Sequence, residues 1–435
     1  MKLLRGEKVK FYLIEGEVKL VDGAKYPFDK SKIPVQCKII NEKTEINRGF
    51  TSGNRSIVFK LGNEWFKAKA IGIPSGISQP IYLDKCLMTY YLYRAFIGSG
   101  RLIWGFMTID EAEQELSWMM RARELKLPAT KPIGIGIYHN VKIIKFPNRH
   151  RLFVFLRKMS SKDLIKIFKE SGEKSDAACF FCEEPSDIRV DEILYGLLFP
   201  KIEYIIELND CKDYLRWLGS SCAYNLRLHH DNNIIHGTIF VEGGVMTNSH
   251  FANHIISYDK TWMTDYHMTT EARGRHGKRL KIEEYYCLWH VMNPLPAAEA
   301  MARARRRRIS LLELPQVQFE TQPYYRFYFW EDLMKIYAGM YSPANVYEEL
   351  TEALIEGIEY GYNRRKVLEI EKKLKREMLV KLIVLKHALW ELYGLPLGMQ
   401  RGIGAVREVM RLKKLNEDEV KKKVSEVQDK FEELL

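Results

Sequence analysis

Residues 234–266 read IIHGTIFVEGGVMTNSHFANHIISYDKTWMTDY, and the fold turns on how this stretch is folded. Ile234 and Ile235 lead into His236-Gly237, and a Gly-Gly turn is expected at Gly243-Gly244. Further on, the apolar pair Ile255-Ile256 crosses a polar turn at Asp259-Lys260 into Thr261 and Trp262, and the run ends on Thr264-Asp265. That pattern predicts an antiparallel hairpin ending on a carboxylate. Closing it brings Asn253 and Asp265 together. A neutral carbonyl oxygen beside a carboxylate suits Mg²⁺, a hard cation that takes oxygen ligands and shares them with phosphate.

Upstream, residues 48–56 form a polar, glycine-bearing loop, RGFTSGNRS, that enters the alternating run Ile57 to Leu61. A two-residue Gly62-Asn63 turn then leads into Trp65 to Ile71, which is a strong hairpin signal. A hairpin capped by a glycine loop with a lysine on its second strand suits a phosphate, because bare backbone N–H groups approach the anion and the lysine adds charge. Lys67 and Lys69 share one face by the period of two, so geometry does not choose between them. Thr108 with Glu111 three residues on makes a capping box for a helix running to about Leu127 and stopped by Pro128. Its apolar stripe is Ala112, Leu116, Met119 and Met120, and Glu115 falls inside it. A carboxylate on a buried face needs a cation, and a lysine of the preceding hairpin is the obvious partner.

Working outward, residues 9–14 and 17–21 read as strands around a turn at Glu15-Gly16, and 35–40 as another. Within residues 132–156, IGIGIYHNVKIIKF (133–146) and the apolar run 152–156 predict two more strands, with a helix beginning at Ser160-Ser161. From there the pattern is helical apart from the hairpin. Asp213 to His229 buries Leu215, Leu218, Cys222 and Leu226; residues 364–393 form one long amphipathic helix; and Asn416 with Glu419 caps a last one. The Ala272 to Gly277 segment is a basic glycine loop, and residues 301–309, MARARRRRI, carry an arginine run expected on a solvated face. Strands first and helices second predict an α+β fold with a ligand cleft between them. The expected divisions are 1–156, 157–300 and a helical extension over 301–435.

With 435 residues, 46% hydrophobic and 29% charged, the chain is globular in composition. A net charge of +12 allows nucleotides, nucleic acid or anionic surfaces as partners without choosing among them. The sequence offers no transmembrane run and no signal peptide at its start, and its seven scattered cysteines suggest reduced thiols, so a cytoplasmic location is expected. Cys179 and Cys182 have metal-like spacing but lack a second pair, and read as structural or incidental.

Over residues 49–290 these motifs resemble a protein-kinase-like fold, most nearly the selenoprotein O family of protein adenylyltransferases. Asn54-Arg55 is similar to the family's Gly-Arg after its first glycine loop. The Ala68-Lys69-Ala70-Ile71-Gly72 strand is similar to its Leu-Lys-Gly-x-Gly, which picks Lys69 and leaves Lys67 an exposed strand lysine. Gly98-Ser99-Gly100-Arg101 resembles a Gly-Asp-Gly-Arg with the Asp replaced, and Glu115 falls on the ion-pairing Glu. Arg157 matches one of two phosphate-binding arginines, while the second position holds Leu164. Gly244-Val245-Met246, Asn253, Asp265, Gly274-Arg275 and Trp289 resemble the remaining motifs. The resemblance implies a two-lobed fold binding ATP through Gly53, Asn54, Arg55, Lys69, Ser99, Gly100, Glu115 and Arg157, with Mg²⁺ on Asn253 and Asp265. It implies AMP transfer to a protein hydroxyl, with a phosphoryl-transferring kinase or a catalytically inactive pseudokinase scaffold as alternatives; nucleic acid is a less favoured partner.

One element of the resemblance is missing. The base Asp of ordinary kinases falls on Asn248, that of selenoprotein O on Ala252, and that of small-molecule kinases on Thr238. None is a carboxylate. Asn248, His250 and His236 are therefore the catalytic candidates, with the two histidines able in principle to take a proton. The family's C-terminal selenocysteine or cysteine is also absent.

Overall fold

A computed structural model describes residues 8–36, 46–51, 55–61, 64–72, 93–97, 102–145, 173–186, 188–190, 207–241, 244–247, 249, 251–290, 344–393 and 417–432. The architecture is α+β. Its strand-rich part is one antiparallel sheet built from β1 (Lys8–Leu20), β2 (Lys32–Val35), β3 (Ile46–Thr51), β4 (Ser56–Leu61), β5 (Glu64–Lys69), β6 (Tyr93–Ile97), β7 (Leu102–Thr108), β8 (Lys131–Lys145) and β9 (Glu173–Glu184). The order is β2-β1-β3-β4-β5-β9-β7-β6-β8, and β8 also pairs with both β1 and β9. Those extra pairings curl β1, β3, β4, β5, β9 and β8 into a closed circuit, which removes most of the open edge.

Strands β4 and β5 pair as the expected hairpin, with Leu61 opposite Glu64 and Ser56 opposite Lys69. Several other boundaries differ from the sequence reading. The expected turn at Glu15-Gly16 is instead the middle of β1. The strand pairs with β2 up to Glu15 and passes to β8 from Gly16 onward. Gly16 is needed because a Cβ there would run into Ile33, and would lie 2.7 Å from the Ile137 carbonyl oxygen. The expected loop at 48–56 begins as strand β3, which continues to Thr51. The strand expected at 152–156 and the helix start at Ser160 lie outside the described residues.

The largest correction is β9. The region after residue 157 reads as helical, yet Glu173–Glu184 is a central strand paired with β5, β7 and β8. Its run Ala177 to Cys182 is buried throughout, so no polar alternation marks it as a strand. Ala177, Cys179 and Phe181 point into the curled sheet beside Phe11, Ile57 and Phe66. Ala178, Phe180 and Cys182 face the other way, toward the helices. The two cysteines of the CxxC therefore lie on opposite faces of one strand, and burial raises both thiol pKa values. The motif is packing.

Outside the curled sheet, α1 (Ile109–Glu124) follows β7 directly, with Thr108 Oγ1 accepting from the Glu111 N–H at 3.2 Å in the expected capping box. Ala112, Glu115 and Met119 are buried as the stripe predicts, but Met120 is 36% exposed. The helical part starts with α2 (Leu208–Asp231), which buries Leu215, Leu218, Cys222 and Leu226 as expected. Short strands follow: β10 (Ile234–Ile235), β11 (Thr238–Val241), β12 (Gly244–Thr247), β13 (His254–Ile256), β14 (Thr261–Met263) and β15 (Thr270–Glu271). Val241 stands opposite Gly244, so Gly244 already belongs to β12 rather than to the turn expected at Gly243-Gly244.

Helix α3 (Gly274–His290) begins inside what reads as a glycine loop. α4 (Ala344–Arg364) is absent from the sequence reading, and the single helix expected over 364–393 begins only at α5 (Lys372–Tyr393). Arg365 adopts φ 55°, which ends α4 in the left-handed region. The Leu368 N–H then donates to Ser220 Oγ at 3.0 Å, while Val367 and Ile370 still pack on the core. The apolar spacing survives a helix break because those residues reach the same core from the non-helical connection between α4 and α5. Gly357 and Gly361 of α4 let its backbone meet that of α2, since a Cβ on either would collide with the carbonyls of Arg216 and Ser220. α6 (Glu417–Glu432) buries Val424 and Val427; its expected cap, Asn416, lies outside the described residues, as does the arginine run. No helix among the described residues is long and apolar enough to cross a membrane.

Candidate functional site

The expected hairpin is β13–β14, with Ile256 opposite Thr261 and His254 opposite Met263. It is fastened on three sides. Asn225 Nδ2 of α2 donates to the Thr261 carbonyl at 2.7 Å. The Met263 N–H donates to the Pro128 carbonyl at 2.7 Å, and Thr130 N–H to the Met263 carbonyl at 3.0 Å, tying the hairpin to the end of α1. At its open end the Thr264 N–H donates to the Asn253 carbonyl at 3.0 Å, which sets Asn253 one step from Asp265. Asp265 itself adopts φ 74°, a left-handed conformation that costs about 1–2 kcal/mol and that Asp tolerates better than most residues.

That conformation delivers the Asp265 carboxylate to Lys69. The Lys69 ammonium also donates to both oxygens of Glu115, at 2.8 Å each. Two carboxylates, one from α1 and one from the segment after β14, thus meet on the cation that β5 supplies. Glu115 is fully buried, whereas the Asp265 side chain is 21% exposed, so the cluster opens to solvent on the Asp265 side. Burial pushes the Asp265 pKa up, but the charges of Lys69, His267 and Arg55 outweigh it and hold the carboxyl well below its ordinary range. Arg55, half-buried with its carbonyl accepting from the Ile71 N–H at 3.1 Å, is therefore brought to the cluster. His267 Nδ1 lies 2.5 Å from Asp265 Oδ1. One donor atom from each of Glu115, Asp265 and His267 lies within 4.8 Å of the other two, so these three side chains can hold a metal ion.

Lys67 departs from expectation. It shares the outer face of β5 with Lys69, but it is only 1% exposed and pairs with Glu184 of β9 at 2.5 Å. The exposed strand lysine of the sequence reading is a sealed ion pair. Its partner escaped notice because β9 did. Glu184 Oε1 is also 3.5 Å from Thr264 Oγ1, so the second pair sits directly behind the residue preceding Asp265.

His236 lies fully buried between β10 and β11. Its Nε2 donates to the Thr264 carbonyl at 2.9 Å, and its ring packs edge-on against Tyr266 at 5.0 Å. Burial lowers its pKa, so the ring is neutral and braces the segment that carries Asp265. The loop around it hangs from Glu284 of α3, whose carboxylate accepts from the His236 N–H at 3.1 Å, the Gly237 N–H at 2.7 Å and His230 Nε2 at 2.8 Å. Asn253 is buried, with Oδ1 3.5 Å from Arg189 Nη1. Gly53, Asn54, Ser99, Gly100, Arg157, Asn248 and His250 lie outside the described residues.

Sequence reasoning missed His267, Arg189, Glu184 and Glu284 as members of this neighbourhood. Only His267 left a signal, two residues after a carboxylate already singled out. No protein-family model matches the chain. No curated protein matches it either.

Proposed function

We propose that this is a two-lobed, protein-kinase-like protein that binds ATP with Mg²⁺ in a cleft bordered by Lys69, Glu115 and Asp265, and that transfers AMP to protein hydroxyl groups. The observation that carries the reading is the meeting of Lys69 with Glu115 and with Asp265 across 46 and 196 residues of sequence. A strand lysine, a helix glutamate and a carboxylate after a hairpin, in this order, are the parts that kinase folds use to hold nucleotide phosphates and metal. Asp265 and Asn253 would hold Mg²⁺, which neutralises phosphate charge when bound. Lys69 and Arg55 are the residues of the chain that meet the phosphates, Arg55 with a planar fork that stays charged. In the transfer a hydroxyl oxygen of the acceptor bonds to the α-phosphorus, the bond to pyrophosphate breaks, and the hydroxyl proton leaves to solvent or to the departing pyrophosphate. Electrostatic stabilisation of the leaving group would supply most of the rate, which is compatible with the missing base Asp.

A second reading, a nucleotide-binding scaffold without catalysis, is favoured by His236. Its ring is buried with Nε2 committed to the Thr264 carbonyl, which is a bracing role rather than that of a base. The two readings part on labelling. Incubation with α-labelled ATP, Mg²⁺ and candidate acceptor proteins should leave label on protein, γ-labelled ATP should leave none, and Asp265→Ala should be silent with both. Label from the γ position alone makes the protein a kinase. Absence of both labels, with ATP still raising the melting temperature by mass action, leaves the scaffold.

A further inference from the structure

We propose that Glu115, Asp265 and His267 form a binding site for a borderline transition-metal dication of the Mn²⁺, Co²⁺ or Zn²⁺ class, and that Lys69 is the cation this ion displaces. The inference goes beyond the nucleotide reading and shares only Asp265 with its metal pair. One donor from each of the three side chains already lies within 4.8 Å of the others. Donors about 2.0–2.2 Å from a common ion stand roughly 3–3.5 Å apart, so adjustment of side-chain torsions closes the remaining gap. The three come from well-held places. Glu115 is in the middle of the capped helix α1, and Asp265 and His267 follow a hairpin fastened to both α1 and α2. Glu115 is fully buried, and the His267 side chain is 9% exposed, so the surroundings exclude most competing water.

The donor set selects the ion. Mg²⁺ and Ca²⁺ take oxygen ligands and leave imidazole aside, whereas Mn²⁺, Co²⁺ and Zn²⁺ accept one nitrogen among carboxylates. Two carboxylates and an imidazole form a common open set for such ions, with positions left for water or a ligand. The centre of the cluster is now held by an ammonium. Lys69 Nζ contacts both oxygens of Glu115 and one of Asp265, which are two of the three proposed ligands. Ammonium and metal therefore compete for the same lone pairs, and that competition gives the proposal its sharpest consequence. Removing the lysine must strengthen metal binding, whereas a lysine that merely supported the fold would weaken it when lost.

The test is titration of the full chain with Co²⁺ and Mn²⁺ in the absence of nucleotide, read by the visible cobalt spectrum and by manganese paramagnetic resonance. One equivalent is expected to bind, at least about 100-fold tighter than Mg²⁺. His267→Gln should weaken binding by at least about 10-fold and remove the nitrogen signature, and Lys69→Met should tighten it by about 10-fold. Melting curves without metal establish that each variant is folded. Where His267→Gln does not fold, the Lys69→Met arm alone decides. Binding no tighter than Mg²⁺, a folded His267→Gln that binds unchanged, a cobalt spectrum showing sulfur ligation, or weaker binding by Lys69→Met would each overturn the site. Because nucleotide is absent, failure here leaves the ATP reading standing, and metal binding without any ATP-induced stabilisation does the reverse.

Discussion

Lys67 and Lys69 stand two residues apart on the same face of one strand, and the molecule treats them differently. Lys67 closes on Glu184 with both side chains nearly inaccessible, at 2% and 0% exposure. Lys69 meets two carboxylates, and one of them, Asp265, remains 21% exposed with His267 and Arg55 beside it. The first arrangement is charge-balanced and sealed. The second carries an extra carboxylate and an open side, which is what the proposed exchange of its cation requires. Burial of a charged residue therefore does not by itself single out a candidate site; a surplus of ligand-competent groups with a route to solvent is the sharper criterion.

The largest expected effect breaks the sealed pair. Lys67→Ala leaves Glu184 uncompensated in the interior and should destabilise the protein by about 3–5 kcal/mol, against much less for Lys67→Met combined with Glu184→Gln. Lys69→Ala also strips the fully buried Glu115 of its ammonium, yet should cost less than Lys67→Ala, because this cluster opens to solvent at Asp265 and water or a buffer cation can reach the vacated place, while Arg55 and His267 still face Asp265. Urea unfolding of the three variants measures this, and a reversed order between the two single lysine variants would show that Lys69 is the structural one.

An intermediate effect separates the ion pairs from the helical region by pH. Burial lowers the pKa of His229 to about 3, and lowers those of His230 and His236 as well. The unfolded chain binds protons at these imidazoles below about pH 6.5 while the folded chain resists, so their stabilisation is present above that pH and lost as pH falls through it. Each imidazole that stays neutral should cost about 1.4 kcal/mol per pH unit on the acid side. Replacing His229 by Gln should flatten the slope between pH 6.5 and 4. Unfolding midpoints that do not move over that window would mean that the imidazoles are not neutral in the fold.

The smallest effect acts on Glu115 at a distance. Thr108→Ala removes the cap of α1 and should cost about 1 kcal/mol, while Thr108→Ser should keep most of it. Since α1 carries Glu115 to Lys69, loosening its first turn should also weaken Mn²⁺ binding slightly. A loss of stability above about 2 kcal/mol would show that Thr108 does more than cap.

Local chemistry was enough for the β4–β5 and β13–β14 hairpins and for the capped helix, though not for the turn expected at Glu15-Gly16, because turn residues, period-two alternation and a Thr-x-x-Glu spacing act within a few residues of themselves. It was also enough to single out Glu115, since a carboxylate inside an apolar stripe demands a partner wherever the chain supplies one. Tertiary structure decided the rest. Strand β9 shows an unbroken apolar run because both of its faces are covered, so its nature depends on what covers it. Lys67 and Lys69 are equivalent by periodicity, and only the arrival of Glu184 on one and of Glu115 with Asp265 on the other distinguishes them. Whether 364–393 is one helix or a break followed by another rests on Leu368 finding Ser220, a contact 148 residues away in sequence. Spacing along a chain fixes which face a residue occupies; which group waits opposite that face is set by segments far off in sequence, and the chemistry of a buried charge belongs to the pair.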